Sequence, residues 1–227
     1  IKIAREKGAV EFNVVNIRDF ADDKHKTTDD VPYGGLEGMV MKAEPIYKAL
    51  ESLGAGKDKK KSKTVLLSAS GRKLTQKKIE EYAALDRLIL ICGRYEGVDE
   101  RVLNWCDDEI SIGDFVMSGG EFGALAVIEG VIRLLPGVLG NEESSKNESF
   151  TTGVLDYPHY TRPREFMGLS VPEVLLSGDH AKVKEWRRMQ ALLKTAKNRP
   201  DLLEKAGLNE EEKIFIKEVM KGEIENE

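Results

Sequence analysis

Three short stretches of this sequence set glycine beside small or polar residues in a way that leaves backbone accessible: Leu67-Ser68-Ala69-Ser70-Gly71, Gly93-Arg94-Tyr95-Glu96-Gly97, and Ile112 to Gly120. Each belongs to the end of a short apolar run, Thr64 to Ala69, Leu88 to Cys92 and Glu109 to Ile112, that reads as a buried strand. In an open parallel sheet, the loops at the carboxyl ends of the strands form the ligand crevice. Backbone N–H and C=O groups from three such loops can read the edge of a purine while Leu67, Ile112 and Met117 meet its faces, so that the ring is held without charged residues. Taken singly, each loop is an ordinary turn from strand to helix, and only their recurrence in one sheet points to a site. The residues of other nucleotide and hydrolase sites are missing: no Walker loop, no Gly-x-Gly-x-x-Gly after the first strand, no Gly-x-Ser-x-Gly elbow and no His-Glu-x-x-His.

Other elements must hold these loops in place. Ile1 to Lys7 is expected to form a short helix stopped by Gly8, and Val10 to Ile17, rich in β-formers, reads as a strand. Arg18 to Gly38 is a long polar loop, and loops of that length are disordered or functional. Its tail, Pro32-Tyr33-Gly34-Gly35-Leu36-Glu37-Gly38, places a ring among glycines, which suits close approach to a flat ligand as well as it suits a plain flexible turn. Glu44-Pro45 opens a helix that Gly54 closes, and Lys57 to Lys63 reads as a solvated linker. Thr75 caps a helix through Leu85. A long helix from Gly120 to Leu135 is apolar along Leu125, Ile128, Val131, Ile132 and Leu135, which predicts a core-facing side. The strand, loop and helix rhythm predicts an α/β fold, a mostly parallel sheet with helices on both faces and right-handed crossovers.

Gly140 to Gly153 is polar, small and aperiodic, the composition of an interdomain linker. It divides the chain into an α/β domain over residues 1–139, a flexible linker over 140–153 and a small all-α domain over 154–227. In the last, Ser170 is read as capping a short helix with Pro172 near its start. Asp179 caps a longer helix, and Asn209 with Glu212 forms a capping-box pattern. The 227 residues are 41% hydrophobic and 33% charged, with a net charge of −5, which on its face disfavours a polyanion partner. From Lys182 to Lys205, however, eight basic residues face three acidic ones. A local basic face, or merely a solvated one, fits that stretch. Two cysteines and three scattered histidines suit neither a disulfide framework nor a metal site, so no metal is expected. No apolar run reaches membrane-spanning length and no signal-peptide pattern opens the chain. A cytoplasmic protein is the expectation.

Several motifs are similar to those of one family. Gly93-Arg94-Tyr95-Glu96-Gly97, Ile112-Gly113-Asp114-Phe115, Ser118-Gly119-Gly120-Glu121, Pro136-Gly137-Val138-Leu139-Gly140 and Tyr157-Pro158-His159-Tyr160-Thr161-Arg162-Pro163 occur in order and at the spacing seen in the bacterial tRNA (guanine-N1)-methyltransferases, the TrmD family. Pro32-Tyr33-Gly34-Gly35 and Leu175-Leu176-Ser177-Gly178-Asp179-His180 extend the likeness over nearly the whole chain. The resemblance implies a SPOUT fold, in which the chain forms a deep C-terminal trefoil knot in its catalytic domain, something periodicity does not reveal. It implies S-adenosylmethionine held by Leu67, Gly93, Tyr95, Glu96, Ile112, Gly113, Asp114, Phe115, Val116, Met117 and Gly120. It further implies a homodimer with a composite site, and a tRNA substrate methylated at N1 of the guanine immediately 3′ of the anticodon (guanine-37). A magnesium requirement has no signature in the sequence.

On the same resemblance, the guanine-binding loop falls on Tyr33, Gly34 and Gly35. The tRNA contacts are expected at Lys184, Arg187 and Arg188, and the arginine that stabilises charge on the purine O6 at Arg133. The family's basic aspartate is matched by Glu148, one methylene longer. Without the family likeness, Glu148 is one more linker acid and Arg133 an ordinary helix-end cation. Leu67 to Gly71 lacks the family's proline and glutamine, and Leu36 stands where a third glycine is usual. The family's first strand is not seen ahead of Ile1. A knotted RNA-binding protein without turnover, or a SPOUT enzyme for another RNA, are the competing readings.

Overall fold

The computed structural model describes residues 1–35, 37–58, 60–138 and 148–221. Leu36, Leu139 and the greater part of the expected linker, 140–147, lie outside the described residues. The chain divides into two compact units, Ile1–Gly140 and Asn141–Glu227.

The first unit opens with α1 (Lys2–Glu6), and Gly8 follows at φ +67°, the left-handed conformation that ends a helix at low cost. Val10 to Asn16 is not the expected strand. The segment pairs with no strand among the described residues, and Val14 stands exposed. β-formers express their preference by packing on a pleated surface, and none receives them here. Inside the long polar loop, β1 (Asp29–Asp30) pairs antiparallel with β2 (Val40–Met41), ahead of α2 (Ala43–Ser52). β3 (Ser62–Lys73) begins within the lysine-rich stretch and runs through the first glycine-bearing loop. Thr75 caps α3 (Gln76–Ala83), its hydroxyl accepting from the Lys78 N–H at 3.3 Å. β4 (Arg87–Cys92), β5 (Asp108–Ser111) and α4 (Glu121–Ile132) complete the unit.

The sheet has the order β4-β3-β5, all parallel, with helices on both faces. Alternation along β3 decides which side chain goes where. Leu66 joins Ile89, Ile91, Ile46, Leu50 and Val102 on the face covered by α2. Val65 and Leu67 turn the other way, toward Ile79, Tyr82, Ala124 and Val127 of α3 and α4. Tyr82 is fully buried, and its hydroxyl donates to Asp108 Oδ2 at 3.0 Å; burial pushes the phenol well above its ordinary range. The expected core side of α4 is corrected in part. Leu125 is 49% exposed, whereas Ile132 of that side is buried and Val131 packs against the core, joined by Gly123, Ala124 and Val127. The helix is apolar on both sides, and a sequence pattern of that kind cannot say which side meets the core.

In the second unit, β6 (Glu165–Phe166) and β7 (Leu169–Ser170) form a hairpin, so Ser170 ends a strand and caps no helix. The following 3-10 turn, Glu173–Leu176, starts after Pro172 without a side-chain cap. Asp179 does cap α5 (His180–Asn198), accepting from the N–H groups of Ala181 and Lys182. Asn209 and Glu212 close a reciprocal capping box on α6 (Glu210–Lys221), at 2.8 and 3.0 Å. The core gathers Val154, Ala191, Leu192, Leu193, Ala196, Ile216 and Val219. Residues 148–153, the end of the expected linker, are folded: Phe150 donates to the Val154 carbonyl and accepts from the Gly153 N–H.

Fully buried Thr195 ties this segment to α5. Its Oγ1 accepts from the Leu155 N–H at 2.9 Å and donates to the Ala191 carbonyl at 2.6 Å. Thr195→Val keeps the shape and strands a partly buried N–H, so it is expected to cost about 1–3 kcal/mol in chemical denaturation. Thr195→Ser is the control that retains the hydroxyl.

Candidate functional site

The three glycine-bearing stretches converge. Beyond Leu67, β3 bows away from β5 over four residues and rejoins it, so that both Leu67 and Arg72 face Ile110 in the ladder. Gly71 makes the return possible: a Cβ there would lie 2.5 Å from the Ile110 backbone nitrogen and 2.6 Å from the Glu109 carbonyl carbon. The bow is held by hydroxyls. Ser68 Oγ meets Ser70 Oγ at 2.8 Å, and Ser70 donates onward to Glu109 Oε1 at 3.1 Å. These contacts occupy the loop where the family proline and glutamine are replaced.

The second and third stretches are joined directly. Gly120 donates its N–H to the Gly93 carbonyl at 2.9 Å, and Arg94 bridges to Gly119. A Cβ on Gly120 would come within 2.9 Å of Cys92 Cα and 3.1 Å of Leu67 Cβ, so β4 and β3 both press on this one glycine. Arg94 Nε donates to Glu121 Oε1 at 2.8 Å. Glu121, at the start of α4, is held below the usual carboxylate range by its own backbone N–H and by that guanidinium. Burial pushes the Cys92 thiol up to about 11, which keeps it neutral at the end of β4. Tyr95 takes φ +61°, a conformation uncommon for a residue with a side chain and frequent at functional loops.

Together these turns enclose a cavity of about 380 Å³. Leu67, Gly93, Tyr95, Glu96, Ile112, Gly113, Phe115, Val116, Met117 and Gly120 all line it. Asp114 does not, because its carboxylate turns outward to Lys73 Nζ at 2.7 Å. Ser68 and Ser70, within the first candidate loop but given no contact of their own there, also line the cavity, as do Glu100 and Glu109, which sequence reasoning missed. Only the bow in β3 brings the serines there, and no local pattern announces it. Tyr33, Gly34 and Gly35 are outside the lining, with Tyr33 fully exposed. Their loop is nonetheless anchored beside it, since Glu96 donates its N–H to the Met39 carbonyl at 3.1 Å.

The remaining candidates are not among the residues that line the cavity. Arg133 follows the last turn of α4 in the first unit, and Glu148 opens the Phe150 turn of the second, where its carbonyl accepts from the Thr151 N–H. On α5, Lys184 and Arg187 are exposed. Arg188 is half-buried and forked onto Glu212 at 2.6 and 3.2 Å, so its guanidinium holds α5 to α6. That pairing accounts for Arg188 structurally and leaves the basic face to its neighbours. No group of His, Cys, Asp and Glu able to hold a metal occurs among the described residues, and none of their helices is long and apolar enough to cross a membrane.

A crevice of accessible backbone at the carboxyl ends of parallel strands gives the protein the architecture of α/β proteins whose ligand crevice lies at that edge of the sheet. Comparison with known proteins is more specific. Residues 1–205 match the model of the tRNA (Guanine-1)-methyltransferase family, TrmD. A tRNA (guanine-N(1)-)-methyltransferase of Dictyoglomus turgidum is 53% identical over 97% of this chain and 89% of its own length. Proteins of the same description from Geobacillus kaustophilus and Carboxydothermus hydrogenoformans are 50% and 54% identical, over 96% and 95% of this chain and 89% and 84% of theirs. The chain belongs to the TrmD family.

Proposed function

We propose that the protein transfers a methyl group from S-adenosylmethionine to N1 of the guanine immediately 3′ of the anticodon in tRNA, and that it does so as a homodimer. One observation carries the reading: three glycine-bearing turns meet in a single cavity, in a chain matched to the TrmD family over residues 1–205. The lining fits the cofactor. It offers accessible backbone and the apolar side chains of Leu67, Ile112 and Met117 to an adenine, and the carboxylates of Glu96, Glu100 and Glu109 as countercharge to a sulfonium. When bound, S-adenosylmethionine supplies an electrophilic methyl group. Neutral guanine carries a proton on N1, and Glu148 is assigned as the base that accepts it. Arg133 is assigned to the purine O6, where negative charge develops as N1 loses its proton. Tyr33, Gly34 and Gly35 would close on the guanine from the loop anchored at Glu96. In this reading residues 1–139 form the knotted catalytic domain and 154–227 the tRNA-binding domain, with Lys184 and Arg187 toward the phosphates. A tRNA substrate places the activity in the cytoplasm.

The dimer is supported by the outer side of α4. Phe122 is 73% exposed and Leu125 49%, and Phe115 and Val116 beside the cavity are exposed as well. Apolar surface gathered next to a site marks an interface, and a second copy seated there would complete a composite site. Leu125→Asp is expected to convert the dimer to monomer in sedimentation velocity and to abolish transfer. A dimer unchanged by that substitution removes α4 from the interface.

Incubation with methyl-labelled S-adenosylmethionine and unmodified tRNA carrying a guanine 3′ of the anticodon tests the function. Label on N1 of that guanine is the expected result. Label on another position, or cofactor binding without transfer, overturns it.

A further inference from the structure

We infer that the C-terminal unit carries a subsite for one unstacked nucleotide of the RNA substrate, formed around Tyr160 and rimmed by Arg162 and Arg187. This rests on the proposed tRNA substrate and adds to it a place where a base, and not only the backbone, is held. The cavity measures about 460 Å³, within the range of small-ligand sites, and all of it is formed by residues of this unit. Val171 and Leu175 give it an apolar floor.

Its aromatic walls are fixed in advance. Tyr157 is flanked by His159, with ring centroids 4.7 Å apart, and by the Arg187 guanidinium, 5.0 Å from the ring centre. His159 Nε2 is itself held by Asp156 Oδ2 at 2.8 Å. Tyr160 is steadied by Trp186, centroid to centroid 6.3 Å, yet remains about half exposed, so a face of its ring is open to a partner. The cations of the rim are unequal. Arg164 is neutralised by Glu173, whereas Arg162 and Arg187 have no carboxylate partner among the described residues. An apolar floor, a half-open aromatic ring and two uncompensated guanidinium groups match a flat base with an anionic phosphate attached. Unpaired RNA bases are commonly read by stacking of this kind, with arginine taking the phosphate.

The experiment measures binding of an anticodon stem-loop RNA to the full-length protein, with each loop base in turn made abasic. At one loop position the abasic change is expected to weaken wild-type binding about tenfold and to have no further effect on Tyr160→Ala. Tyr160→Phe should behave as wild type. Arg162→Ala and Arg187→Ala should each lower the slope of log affinity against log salt by about one. If no loop position couples to Tyr160, the subsite is overturned, including the case in which Tyr160 meets a protein partner instead. Methyl transfer by the wild type in the same preparation keeps the two readings apart. Transfer without coupling overturns the subsite alone, and failure of the wild type to bind or methylate the RNA overturns both.

Discussion

Glu148→Gln is expected to cripple methyl transfer while leaving S-adenosylmethionine affinity nearly unchanged. The amide matches the carboxylate in size and keeps an acceptor oxygen, but it cannot take a proton from guanine N1. A positioned general base is worth roughly 10²- to 10⁴-fold in rate, and single-turnover methyl transfer at saturating tRNA should fall by about that factor. Cofactor affinity is unaffected because the lining of the cavity belongs entirely to the first unit, between Leu66 and Gly123, whereas Glu148 opens the Phe150 turn of the second. Glu148→Asp restores the carboxylate of the family and is expected to retain activity. A Glu148→Gln protein that turns over at the wild-type rate gives the role of base to another residue.

Gly71→Ala is the second large effect, and it acts through backbone. A methyl at this position meets the Ile110 nitrogen and the Glu109 carbonyl carbon at 2.5 and 2.6 Å. Both belong to β5, next to β3 in the sheet, and neither can rotate away as the end of a side chain would. Relief requires β3 to move off β5, which breaks the second half of their pairing at Arg72 and Lys73 and shifts Ser68 and Ser70 in the cavity wall. Overpacking of this kind costs about 1–3 kcal/mol or more. Each kcal/mol lowers the melting temperature of a domain this size by roughly 2–4 °C. A fall of several degrees, with loss of S-adenosylmethionine binding by calorimetry, is the expected outcome. An unchanged melting temperature and affinity would mean that the bow in β3 is not what shapes the cavity.

Features decided within a few residues were legible in the sequence. Thr75, Asp179 and the Asn209/Glu212 pair cap their helices as read, because a cap closes hydrogen bonds to residues two or three positions away. The strands ending at Cys92 and Ser111 were legible because short apolar runs bounded by glycine have few alternatives in a buried sheet. Val10 to Asn16 failed for the converse reason: a strand needs a neighbour, and its residues say nothing of whether one is present. Ser170 reads as a helix cap, and its pairing with Glu165 across the hairpin, which no neighbouring residue announces, makes it a strand end instead.

For the site, the sequence by itself determined which loops carry accessible backbone and, through the motif series, which family they belong to. Tertiary structure alone decided that Asp114 turns away to Lys73, that Ser68 and Ser70 enter the cavity wall, that Arg188 is committed to Glu212, and that Leu125 faces outward. The physical reason is range. A motif records residue types in order along one chain, whereas an ion pair 24 or 41 residues apart, or a glycine pressed by two neighbouring strands, exists only once folding has brought those segments together.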